Sequence, residues 1–102
     1  MHRKRTELQK LLESKLGSKN VYFQPPESVK LKYPCIIYSL NRLYNNFADD
    51  SVYLQSRGYM VTVLDKNPDS PIMNSISEIP QCTFDRFYTV DNINHWAFTI
   101  YY

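Results

Sequence analysis

Acid–base, nucleophilic and metal chemistry require particular side chains to converge, and this sequence supplies few of them. His2 and His95 are the only histidines, one in the basic start His2-Arg3-Lys4-Arg5 and one in a strand-like run beside Trp96. Neither belongs to a two-histidine metal spacing or a Ser/His/Asp arrangement. The adjacent carboxylates Asp49-Asp50 are candidates for proton transfer, but they sit among turn-forming residues, where such a pair is solvated and keeps an ordinary pKa. Asp65-Lys66-Asn67-Pro68-Asp69 has the first three ligand positions of an EF-hand loop. Ser70 replaces its turn glycine and Ile76 its bidentate glutamate, which leaves a loop whose polar side chains cap the helix that follows.

Cys35 and Cys82 lie far apart in apolar surroundings, with neither a CxxC spacing nor a disulfide-dense pattern, and are expected as reduced, buried thiols. With Gly17 and Gly58 the only glycines, no glycine-rich phosphate cradle can form. The expectation is a protein that is not an enzyme, with no catalytic residues, no cofactor and no metal.

Charge and hydropathy narrow the partners. Twelve Lys and Arg are scattered among ten carboxylates, so the net charge of +2 creates no large field to attract DNA or an anionic membrane. Arg3-Lys4-Arg5, Lys10 and Lys15 read as a solvated face. The nine tyrosines lie beside aliphatics in strand pattern, without the interleaved basic residues that track a nucleic-acid backbone. No apolar run approaches the roughly 20 residues that span a bilayer. The expectations are no specific nucleic acid, no membrane and a soluble chain made in a cytoplasm. At 102 residues, with 43% hydrophobic and 22% charged, residues 1–102 form one globular domain.

The elements that would position these residues follow from periodicity. Leu8, Leu11, Leu12 and Leu16 recur at helical spacing over Thr6 to Leu16, Thr6-x-x-Gln9 fits a capping box, and Gly17 is the natural residue past the helix end. Val21-Tyr22-Phe23 is a short strand stopped by Pro25-Pro26. Cys35 to Leu40 and Arg57 to Leu64 are β-rich runs, with a bulge expected at Gly58. Ser70 or Asp69 caps a second helix that starts at Pro71 and places Ile72, Met73, Ile76 and Ile79 on one face.

Cys82 to Tyr102 is a hairpin reversing near Asp91-Asn92. A three-residue reversal, Asp91 to Ile93, would pair Tyr88 with Trp96 and Phe84 with Ile100, and is preferred to a two-residue turn that sets Asp85 against Phe98. The order implies an α+β fold: an antiparallel β-sheet with a long N-terminal helix and a short second helix packed on one face. The central strands are apolar on both sides, Tyr59, Val61 and Val63 against Met60 and Leu64, so the side without helices is expected to need another cover.

Between the two central strands, Asn45-Asn46-Phe47-Ala48-Asp49-Asp50 collects residues that tolerate turns, and a long hairpin with a polar projecting tip is expected. Tyr44, Asn45, Asn46, Phe47, Asp49 and Asp50 at that tip are the candidate interaction residues, expected to become ordered on a partner.

Several stretches resemble the tail completion or terminator proteins of long-tailed bacteriophages and related prophages. They are Val21-Tyr22-Phe23-Gln24-Pro25-Pro26, Tyr33-Pro34-Cys35-Ile36-Ile37-Tyr38, and Gly58-Tyr59-Met60-Val61-Thr62-Val63-Leu64-Asp65 followed by Asn67-Pro68-Asp69-Ser70. The most characteristic is Phe84-Asp85-Arg86-Phe87-Tyr88-Thr89-Val90-Asp91-Asn92-Ile93-Asn94-His95-Trp96, and together they span nearly the whole chain. The resemblance implies an α/β subunit that closes with its own copies into a hexameric ring on the finished tail tube. There it would stop tube growth and present the surface that joins the head-tail connector, in the virion neck and after assembly in the host cytoplasm. Within the same neck, a head-tail joining or head-closure (stopper) role stays open. Outside the virion, the alternative is an oligomeric adaptor or small nucleic-acid-binding domain.

Overall fold

The protein is described by a computed structural model covering residues 5–48 and 52–102, residues 42–48 and 52–56 as backbone alone. The N-terminal leucine pattern becomes helix α1, Arg5–Leu16, which buries Leu8 and Leu12 completely and packs Leu11 and Leu16 partly. It is 12 residues, about three turns, and so an ordinary helix rather than the long one expected. Gly17 ends it at φ +83°, where its N–H donates to the Glu13 carbonyl at 2.8 Å.

The capping box does not form. Helix α1 already includes Thr6, and the Gln9 side-chain amide turns to the sheet, donating to Val21 O and accepting from the Tyr38 hydroxyl.

Five strands follow: β1 Val21–Phe23, β2 Cys35–Ala48, β3 Val52–Asp65, β4 Cys82–Val90 and β5 Ile93–Tyr101, in the order β1-β2-β3-β5-β4. The α+β class holds, but the sheet is mixed rather than antiparallel. β1 runs parallel to β2, Val21 beside Ile36 and Phe23 beside Tyr38, because the connector from Gln24 to Pro34 carries the chain back to the same end of the sheet. All other pairs are antiparallel.

Helix α2, Pro71–Ser77, begins as expected: the Ser70 hydroxyl accepts from Ile72 N at 3.3 Å and Pro71 takes the first turn. It links β3 to β4, and β5 then returns into the slot between them.

One face of the sheet carries the core. Register places Val21, Ile36, Tyr38, Tyr59, Val61, Val63, Trp96, Phe98 and Ile100 on that side, where they form one buried cluster with Leu8 and Leu12 of α1 and Ile72, Ile76 and Ile79 beside α2. Both helices therefore cover the same face. On the other face Cys35 and Leu64, a cross-strand pair, are buried by the chain itself, while Met60 is 37% exposed. That side needs less cover than the sequence suggested. Among the described residues, no helix is long and apolar enough to cross a membrane.

The β4–β5 hairpin corrects the expected register. The reversal is the two-residue turn Asp91-Asn92, both at positive φ (53° and 64°), which Asp and Asn tolerate, and Val90 pairs with Ile93. The register then shifts by one between Phe84 and Arg86, so Phe87 meets Trp96 and Phe84 meets Phe98. A bulge at Asp85, rather than a longer loop, brings the aromatic residues to one side. In the β2–β3 pair the shift lies between Leu40 and Arg42, making Asn41 the extra residue opposite the Gly58–Tyr59 step. The bulge expected at Gly58 thus sits on the partner strand.

Candidate interaction surface

Of the residues considered for chemistry, His2, Asp49 and Asp50 lie outside the described residues, and those that are described do not gather. His95 stacks on Tyr88 with ring centroids 4.7 Å apart, its Nδ1 lies 2.9 Å from Ile93 O, and it stands on the face opposite the helices. Asp65 Oδ1 accepts from Asn67 N and Asn67 Oδ1 from Asp69 N, each at 3.0 Å, so this loop spends its oxygens on its own turns. Asn94 fastens the same loop by donating to Asp65 O and Lys66 O. Among the described residues, no group of three or more His, Cys, Asp or Glu side chains gathers where it could hold a metal ion. Both thiols are free, and burial pushes each up to about 11, with Asp65 adding to the effect on Cys35 and Asp85 to that on Cys82.

What the fold does assemble is a projecting ribbon. β1 flanks β2 only from Ile36 to Tyr38, and β5 flanks β3 only from Gly58 to Asp65. From Arg42 to Ala48, β2 pairs with β3 alone, ending at the Ala48–Val52 pair. These seven pairs extend about 23 Å at roughly 3.3 Å per residue, consistent with a molecule measuring 51 × 26 × 23 Å.

Of the expected tip residues, Tyr44, Asn45, Asn46 and Phe47 lie within β2, opposite Ser56, Gln55, Leu54 and Tyr53. Asp49 and Asp50 lie outside the described residues. The polar tip from Tyr44 is therefore a paired ribbon over its first part, and the Asn-rich composition that suggested a loop is overridden by cross-strand pairing.

From the Tyr44–Ser56 pair outwards, among the described residues, no third strand pairs with the ribbon.

At the opposite edge of the sheet, β4 exposes apolar surface that the sequence pattern did not single out. Phe84 is 52% exposed and Phe87 49%, although both lie on the helix-bearing face. Each contacts the core ring below, Phe84 on Phe98 at 5.5 Å and Phe87 on Trp96 at 5.3 Å. The helices leave this margin uncovered. The three-residue spacing of the two phenylalanines, incompatible with one strand face unless a bulge intervenes, was the available signal.

The two sheet edges are unlike. The β1 side is closed by Pro25-Pro26, and Gln24 accepts Leu40 N through its side chain at 3.3 Å, occupying a donor where β1 stops. Beyond its bulge, β4 runs Arg86-Phe87-Tyr88-Thr89-Val90, with one charge, the Arg86 guanidinium 5.2 Å from the Tyr88 ring centre, and no proline. Compared with known proteins, the chain matches no family model and no curated protein.

Proposed function

We propose that this protein is a structural virion component of a long-tailed bacteriophage: a tail terminator, or tail completion, subunit. Copies of it close into a ring on the end of the tail tube, stop tube growth and offer the surface to which the head-tail connector joins. The sequence resemblance supports this reading along nearly the whole chain. The structural observation that carries it is the β2–β3 ribbon, which from the Tyr44–Ser56 pair to the Ala48–Val52 pair is joined, among the described residues, by no third strand of its own chain. An isolated two-stranded ribbon is at best marginally stable in water, so such an arm belongs in an assembly.

Electron microscopy of purified tail tubes mixed with this protein tests the reading. Rings are expected on one end of the tubes, and a variant with a shortened ribbon should lose tube binding while keeping the circular dichroism of the body. Binding undiminished by the shortening would contradict the docking role of the ribbon. Binding to isolated connectors, with none to tubes, would assign the head-closure role instead.

A further inference from the structure

The extra residue at Asp85 is not needed for the register of its hairpin. On the turn side β4 and β5 pair from Val90–Ile93 to Arg86–Ala97, and on the far side from Phe84–Phe98 to Cys82–Ile100. Ala97 and Phe98 are consecutive, so a chain without Asp85 would keep all eight pairs in one unbroken ladder. Phe84 and Phe87 would still share the helix-bearing face. What the extra residue changes is the outer edge of β4.

Val90 and Ile93 close the two-residue turn and bond to each other through the backbone, so Arg86 and Tyr88 turn their backbone groups to β5 while Phe87 and Thr89 turn theirs outward. On the far side Tyr101 N donates to Gln81 O at 3.2 Å, which by the same alternation leaves Cys82 and Phe84 facing outward. Among the described residues, no strand pairs with this side of β4. Without Asp85 these four residues would alternate evenly, a continuous row of backbone donors and acceptors beside two half-exposed phenylalanines. Such an edge pairs readily with another chain. The bulge breaks the row at its middle and bends the strand there. The Thr99 hydroxyl, donating to the Asp85 carboxylate at 2.6 Å, holds a charged side chain at the break, and Arg86 adds a second charge beside it.

We propose that the Asp85 bulge is a guard on the β4 edge: by interrupting the outward row between Phe84 and Phe87, it keeps β4 from pairing with β4 of a second copy of this chain. The inference goes beyond the virion reading and does not rest on it. The guard acts on this edge alone, so contacts made through the ribbon are unaffected by it.

Deletion of Asp85 from the full chain tests the guard, with Asp85→Ala as the comparison that removes the carboxylate and keeps the extra residue. Analytical ultracentrifugation across concentration should find the deletion variant associating at least roughly tenfold more tightly than the unaltered chain, the worth of about one net backbone hydrogen bond. Hydrogen exchange should place the new contact on β4, the Phe87 and Thr89 amides gaining protection as concentration rises. Asp85→Ala should behave as the unaltered chain does. Adding Thr89→Pro to the deletion removes an outward donor without touching the β5 ladder, and should abolish the gain.

A folded deletion variant that associates no more than the unaltered chain overturns the proposal, and so does a double variant that stays associated. Asp85→Ala associating as strongly as the deletion overturns it too, because the charge and not the bulge would then be the guard. Circular dichroism and a cooperative melt check each fold. Should the deletion variant fail to fold, hydrogen exchange on the unaltered chain decides. Phe87 and Thr89 amides that exchange fast at every concentration uphold the guard, whereas protection that grows with concentration overturns it. Tail tubes enter none of these readouts, so failure to cap tubes would discard the tail reading alone, and failure here would discard the guard alone.

Discussion

At the scale of single residues, the side chains with the most developed polar environment hold the fold together. The Tyr38 hydroxyl donates to Gln9 Oε1 at 2.5 Å and accepts from Arg5 at 3.0 Å, while the Arg5 guanidinium lies 4.4 Å from the centre of the Phe23 ring. This cluster ties the first turns of α1 to β1 and β2. Tyr38→Phe removes the hydroxyl and leaves the Gln9 carbonyl without that donor, so urea unfolding should show a loss of about 1–2 kcal/mol. An unchanged midpoint would mean that water replaces the hydroxyl at no cost. The thiols make a second prediction. Burial raises Cys35 and Cys82 from an ordinary 9.0 to about 11, so folding favours their protonated forms. Their contribution to stability is therefore fully present below pH 9 and is lost as pH climbs from about 9 to about 11. Alkylation by iodoacetamide at pH 8 should be roughly a hundredfold slower than in the urea-unfolded chain, two pKa units being a factor of about a hundred in thiolate. Equal rates in the two states would contradict the burial of Cys35 and the partial burial of Cys82.

At the scale of elements, local chemistry was legible in the sequence and long-range pairing was not. Ser70-Pro71 announces the start of α2 because a cap and a fixed φ act within one turn, and Gly17 announces the end of α1 for a similar reason. The parallel pairing of β1 depends on how the Gln24 to Pro34 connector returns, which no residue within the strand encodes. The β4–β5 register misled because two rules conflict. Asp91-Asn92 calls for a two-residue turn, whereas aligning Phe84 with Ile100 calls for a longer one, and the bulge at Asp85 resolves the conflict. Gln9 was misread because its tertiary partners, Tyr38 and Val21, outcompete the local cap. The turn itself is testable. Asn92 sits at φ 64°, so Asn92→Val should lower stability by about 1–2 kcal/mol in thermal unfolding, while Asn92→Gly should match or slightly exceed the unaltered chain. Equal melting temperatures for all three would contradict a left-handed conformation at that position.

At the scale of the whole molecule, the asymmetry of the sheet leads to the functional account. One face is sealed by α1 and α2, one edge is capped by Gln24 and two prolines, and the remaining features, a projecting ribbon and the Phe84–Phe87 margin, point outward at separate places. The candidate site was only partly legible because composition shows which residues favour turns but not how far two strands stay paired; Tyr44 to Phe47 read as a tip and proved to be ribbon. On the proposed reading, the subunit stays monomeric when dilute and assembles on the tube end as template, since a terminator must not close before the tube is finished. The most direct measurement is electron microscopy of particles produced without this protein. The account predicts tail tubes of uncontrolled length that are not joined to heads; tubes of normal length, joined to heads as usual, would contradict it.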